Sequence, residues 1–193
     1  MLRRLYDWVL HWAETPYGSW ALFFLAFCES SFFPIPPDIL LIALAVSIPK
    51  KSFKYALICS VGSLLGGCLG YLIGWQFMAG IGERIISLYG FEQKFEYIKE
   101  LYITYDAWAI GIAGFTPIPY KVFTISAGAF NINFLVFIIA SLVSRSARFF
   151  LVGGLIYLFG PKIQSFIDKY FNILVVVFTI LLVAGFIVIR YVF

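Results

Sequence analysis

Histidine occurs once in this chain, at His11, and cysteine three times, at Cys28, Cys59 and Cys68. A single imidazole excludes a multi-histidine metal centre. The cysteines lie in apolar surroundings with no CxxC spacing, so free buried thiols are expected rather than a disulfide or metal site. Charge is also scarce: 12% of the 193 residues are charged, against about 25% in soluble domains. The chain is 62% hydrophobic and 20% aromatic. So few charges cannot cover so much apolar surface in water, whereas in lipid apolar side chains face outward without penalty. An integral membrane protein with one membrane domain follows.

The net charge of +4 is not gathered into a nucleic-acid face. The basic residues sit at the ends of apolar segments, where they set orientation. No nucleophile elbow, glycine-rich nucleotide loop or metal-ligand set is present. Neither an enzyme nor a cofactor is therefore expected.

The first residues, MLRRLYDWVLHWAETPYG, are not a clean secretory signal, because Asp7, His11 and Glu14 interrupt the apolar run. Leu5, Trp8, Val9 and Trp12 share one helical face, which predicts an interfacial amphipathic helix over 1–16. Residues 18–80 form a first unit. An apolar arm runs to Glu29, Ser30 and Ser31; Pro34, Pro36 and Pro37 then break the helix, and a second arm runs 39–48. Each arm is shorter than the roughly 20 residues that a span needs. A re-entrant hairpin fits, and irregular backbone at membrane depth must be buried in protein or line a cavity. Residues 55–79 can span once, and they carry Gly62, Gly66, Gly70 and Gly74 as a stripe for close helix packing.

Residues 81–106 hold most of the remaining charge and read as a helical polar loop on the membrane surface. A second unit, 107–160, repeats the first: an apolar arm, a break at Pro117 and Pro119, an arm to Phe130, and a long helix over 133–160. Residues 162–169 are a short charged turn, and a closing transmembrane helix is expected over 170–193. Phe32, Pro34, Ile35 and Pro36 recur 83 positions later as Phe115, Pro117, Ile118 and Pro119. GCLGYLIG at 67–74 recurs as GGLIYLFG at 153–160. One spanning helix separates the two hairpins, so the second enters from the opposite face. The expected fold is all-α, with two inverted repeats of hairpin plus helix. Seven basic residues on the N-terminal side (Arg3, Arg4, Lys50, Lys51, Lys54, Lys162, Lys169) against four on the other (Arg84, Lys94, Lys99, Arg190) favour a cytoplasmic N-terminus.

Five ionisable residues fall inside apolar segments: Glu29, Asp38, Lys121, Arg145 and Arg148. A charge at mid-bilayer costs about 2.5–3.5 kcal/mol on insertion scales, so each needs a partner or a cavity. Arg145 and Arg148 are three apart and share a helix face, extended by Ser141 and Ser144. Two readings stand side by side. In one, the charges line a midplane cavity, where arginine forks suit a phosphate and the carboxylates balance charge or carry protons. In the other, they are structural ion pairs, with Asp38 open to capping the helix after Pro37. Ser30, Ser31 and Ser126 read as helix-packing groups.

Glu29 with the Pro34–Asp38 turn, FTPIPYKVFTISAG at 115–128, SRSARFF at 144–150 and GYLIG at 70–74 together resemble the DedA family, also called the SNARE-associated or VTT-domain family. The resemblance spans residues 18–160 and is nearest the short, YqaA-like branch. It implies an inverted-repeat fold with two re-entrant hairpins in a bacterial inner membrane. It also implies movement of lipids between leaflets, undecaprenyl phosphate and phospholipids among them, with proton dependence in some members. It matches Glu29 and Asp38 to the family's membrane acids. Lys121 lies near where many members carry an arginine, and Gly114 stands where many carry another. The spacing between the acids is also shorter than in better-known members. The expected function is a lipid translocase in which Lys121, Arg145 and Arg148 engage an anionic head group. A proton-coupled ion or small-solute transporter and a non-transporting scaffold are the alternatives. Membrane lipids are the expected partners, with protons and a second copy of the chain left open.

Overall fold

The structure, a computed structural model, describes residues 17–32, 35–116 and 119–160. The amphipathic helix expected over 1–16, Pro34, Pro117, the 162–169 turn and the closing helix lie outside them. The described residues are helical, with no strand among them. In chain order the helices are α1 (Gly18–Ser31), α2 (Asp38–Ser47), α3 (Ser52–Phe77), α4 (Glu83–Tyr89), α5 (Glu92–Thr104), α6 (Asp106–Phe115), α7 (Tyr120–Ala129) and α8 (Phe134–Gly160).

Two helical stretches are long and apolar enough to cross a membrane: Pro49–Tyr89 and Phe134–Gly160, each with mean hydropathy 1.9. The first joins a 3₁₀ turn (Pro49–Lys51), α3, a π-helical turn (Met78–Gly82) and α4 into 41 continuous residues. At 1.5 Å per residue it is about 60 Å long, twice the hydrocarbon thickness. The sequence suggests a spanning helix ending near residue 79; the helix instead continues to Tyr89. It stops where Gly90 takes the left-handed conformation (φ 66) and Phe91 N–H donates back to the Ile86 carbonyl. The connection from α7 to α8 uses the same chemistry. Asn131 is left-handed (φ 57), and the Asn133 side chain accepts the N–H groups of Leu135 and Val136 to cap α8.

The glycine stripe brings backbones together. A Cβ on Gly62 would lie 2.6 Å from the Phe23 carbonyl oxygen; on Gly66 it would overlap the Phe27 carbonyl. On Gly70 it would overlap Thr124 Oγ1, and on Gly74 the Ile125 carbonyl. Gly128 of α7 is equally close to Tyr71 of α3. The upper half of the stripe thus seats α1 and the lower half seats α7, and only glycine permits that approach.

These contacts fix directions. Phe23, Phe27 and Ser30 meet Gly62, Gly66 and Gly70 in turn, so α1 runs with α3. Tyr120 and Thr124 meet Gly67 and Gly70, and Gly128 meets Tyr71, so α7 runs with α3 as well. Helix α8 runs against α3: Phe137 lies at Gly67, Gly153 at Ser52 and Gly160 at Pro49. Two apolar clusters occupy opposite ends of α3. One gathers Leu22, Leu41, Leu44, Tyr55, Cys59, Phe149 and Ile156 from α1, α2, the start of α3 and the end of α8. The other gathers Tyr71, Ile110, Ala113, Tyr120, Ala127 and Phe137 from the end of α3, α6, α7 and the start of α8. Outward, Leu65, Leu135, Val143, Leu151 and Leu158 are exposed, as a lipid-facing surface requires.

Candidate functional site

Between the two apolar clusters lies a polar layer, and α8 supplies its centre. Arg145 and Arg148 fall on the inward face of that helix with Ser141 and Ser144. Arg145 is 2% exposed. Its Nη2 donates to Glu29 Oε2 at 2.6 Å and its Nε donates to Ser63 Oγ at 2.6 Å. Ser30 links the two acceptors, bonding Glu29 Oε2 at 3.0 Å and Ser63 Oγ at 2.7 Å. The guanidinium carbon sits 4.8 Å from the Tyr120 ring centroid and 4.7 Å from that of Phe149. Hydrogen bonds and two aromatic faces therefore compensate a charge that would be costly to bury alone.

Arg148 is less sealed. Its Nε and Nη2 donate to the two Asp38 carboxylate oxygens at 3.1 and 2.7 Å, a bidentate pair, and Nη1 donates to the Thr116 carbonyl at 2.6 Å. The Arg148 and Asp38 side chains are each 14% exposed. Asp38 opens α2 directly after Pro37 and makes no capping hydrogen bond, because its carboxylate is turned to Arg148. Thr116 ends α6. One guanidinium thus ties the end of the first helix break to the start of the second. Pro36 and Pro37 lie in the first break; Pro119 precedes α7 as its N-cap.

A further link joins the halves through α7: Thr124 Oγ1 donates to the Ser30 carbonyl at 3.0 Å. The Tyr120 hydroxyl donates to Ser141 Oγ. Among the described residues no buried side-chain nitrogen or oxygen lacks a hydrogen-bond partner, as a polar layer in an apolar core requires. Cys28, Cys59 and Cys68 are free thiols. No group of three potential metal ligands occurs among the described residues.

Four of the five charged residues picked out by hydropathy therefore form two ion pairs. The fifth, Lys121, is partly buried in the first turn of α7 and makes no ion pair with any described residue. The arginine forks, expected to meet a phosphate, are taken up by carboxylates. Ser63, Tyr120 and the Thr116 carbonyl belong to the layer and carry no charge, so the search for ionisable residues passes over them. Ser30 is more than a packing group, since it bridges Glu29 and Ser63. The visible signal for Ser63 is its place beside the glycine stripe, one residue after Gly62 and four before Gly67, where a small polar side chain can face a closely packed helix.

A family profile described as the VTT domain matches residues 35–158. The chain belongs to the VTT-domain (DedA/TVP38) family. The match takes in Pro36 and Pro37 of the first helix break, the whole of the second, Asp38, Lys121, Arg145 and Arg148, while Glu29 and Pro34 lie just before it. An uncharacterised protein of Haemophilus influenzae is 35% identical over 170 residues, covering 88% of each chain. An uncharacterised protein of Histophilus somni is 34% identical over 161 residues, covering 83% of this chain and 84% of its own. The Golgi apparatus membrane protein TVP38 of Eremothecium gossypii is 28% identical over 174 residues; those are 88% of this chain but 54% of that longer one. No solved structure matches. VTT-domain membership and the two apolar helices make this a membrane protein.

Proposed function

We propose that this VTT-domain protein moves an anionic lipid, such as a phospholipid or polyprenyl phosphate, between the leaflets of a bacterial inner membrane. In this reading α1–α2 and α6–α7 are re-entrant hairpins of an inverted repeat, entering from opposite faces and meeting at the polar layer. The contact directions support it: α2 leads straight into the start of α3, α7 ends beside the end of α3, and the two clusters sit at opposite ends of that helix. The observation that carries the functional reading is Arg148, which holds both breaks at once and is not sealed from outside. Broken backbone and ionised side chains share one level of a molecule whose outer surface is apolar. That is where transporters with inverted repeats place a substrate. A head group crossing at this level would meet charge while its acyl chains stay in lipid.

A proton-coupled ion or solute transporter would use the same layer. The Glu29–Ser30–Ser63–Arg145 hydrogen-bond chain is the feature that favours it. The two readings separate in reconstituted vesicles. Lipid movement between leaflets would be measured for the unmodified protein, Glu29→Ala and Arg148→Ala, each first shown to be folded. Faster movement with the unmodified protein and its loss in both variants is expected. No movement of any phospholipid or polyprenyl phosphate would remove the translocase reading. Ion or proton flux dependent on Glu29 would then favour the transporter, and no flux the scaffold.

A further inference from the structure

Charge within the layer does not balance. Glu29 pairs with Arg145 and Asp38 with Arg148, and each pair is neutral. Lys121 is the residue left over. It makes no ion pair with any described residue, yet its backbone belongs to the layer. Tyr120, one position before it, lies fully buried under the Arg145 guanidinium. The Lys121 carbonyl accepts a 3.0 Å bond from Thr124, whose hydroxyl also reaches the end of α1.

Two features make this lysine unfavourable for the fold alone. It stands in the first turn of α7, where the helix dipole repels a cation. Asp38 stands 83 positions earlier, at the equivalent place in the repeat; there the first turn of α2 holds an acid that suits the dipole and has a partner. The second hairpin reverses the sign and supplies no counter-charge. Lys121 is itself only partly buried, and its neighbour Val122 is 52% exposed, so the start of α7 is not sealed inside the bundle. A compact ammonium on a flexible stem can meet one phosphate group there without disturbing the neighbouring ion pairs.

We infer that Lys121 is the residue that contacts the phosphate of the lipid, while Arg145 and Arg148 are positioning residues that join the broken helices. This rests on the translocase reading for its setting and assigns the head-group contact within it. The ligand chemistry is a phosphate monoester or diester, and a lipid rather than free phosphate is its source.

The test uses the purified full-length protein in detergent micelles. Binding would be measured for short-chain phosphatidic acid, for diacylglycerol with the same acyl chains, and for inorganic phosphate. Lys121→Ala and Lys121→Gln are expected to weaken phosphatidic acid binding about tenfold or more, while Lys121→Arg stays within about threefold of the unmodified protein. Lys99→Ala, at an exposed ion pair on α5, serves as a charge control and should bind as the unmodified protein does. Diacylglycerol binding should be indifferent to position 121. Equal phosphatidic acid binding by the unmodified protein and a folded Lys121→Gln would overturn the inference. Inorganic phosphate that binds as tightly as the lipid, and depends on Lys121, would overturn the lipid source. Leaflet transfer in vesicles keeps the two readings apart. Transfer unaffected by Lys121→Gln sinks this assignment alone; Lys121-dependent binding without transfer sinks the translocase and keeps the site.

Discussion

Cutting Arg145 back to alanine would strand the Glu29 carboxylate in an apolar bundle, leave Ser63 without its guanidinium donor and open a space between the Tyr120 and Phe149 rings. Breaking a buried pair from one side costs about 3–5 kcal/mol. A large drop in the thermal unfolding midpoint in detergent is expected. Lysine should not rescue it, because an ammonium cannot supply the Nε bond or stack on two rings. Pairing Arg145→Ala with Glu29→Ala should cost less than the two single changes added together. A strictly additive double variant would mean that the pair contributes nothing specific. Arg148→Lys should be milder in stability than Arg145→Lys, since Arg148 and Asp38 are both more open, but it forfeits the bidentate grip that spans the two breaks.

Among the helices, the glycine stripe makes the sharpest forecasts. Gly66→Ala and Gly74→Ala would each push a methyl group into a facing carbonyl. Overpacking of this kind costs about 1–3 kcal/mol, read as a lower unfolding midpoint. Gly111→Ala in α6 meets nothing within 4 Å and should hold the midpoint or raise it slightly, since alanine favours the helix. If all three behave alike, helix propensity rather than backbone approach governs the stripe. This was legible from the chain because small residues four apart leave few other uses. The helix breaks were legible too, because proline removes a donor and fixes its own backbone. What pattern alone left open was pairing. Glu29 and Asp38 have no local signature for choosing Arg145 and Arg148, since the choice depends on α8 running against α3. The length of the first long helix also escaped, because Glu83, Arg84 and Ser87 are as content in an exposed helix as in a loop. The left-handed Asn131 and the capping Asn133 are plain in hindsight, as Asn is the residue after Gly that tolerates those roles.

For the molecule as a whole, inverted hairpins make a claim about sides. In a background with the three native cysteines replaced, single cysteines at Tyr17, Lys50, Tyr105 and Asn131 sit at exposed positions. A membrane-impermeant thiol reagent should reach the first two from one face of sealed vesicles and the last two from the other. Were Tyr17 and Lys50 labelled from opposite faces, α1 and α2 would cross together, and the inverted arrangement would fall.

The ion pairs also set a timetable. Glu29 and its arginine are 116 residues apart in the chain, and Asp38 and its arginine 110. As the protein is made, both acids enter the membrane long before either cation exists. During most of synthesis α1 and α2 are an unfinished structure whose carboxylates must be sheltered by water, by protonation or by the insertion machinery. Stalling translation before α8 emerges should leave α1 and α2 open to proteolysis, and release past residue 148 should close them. The last described helix therefore acts as the checkpoint at which the earliest ones become permanent.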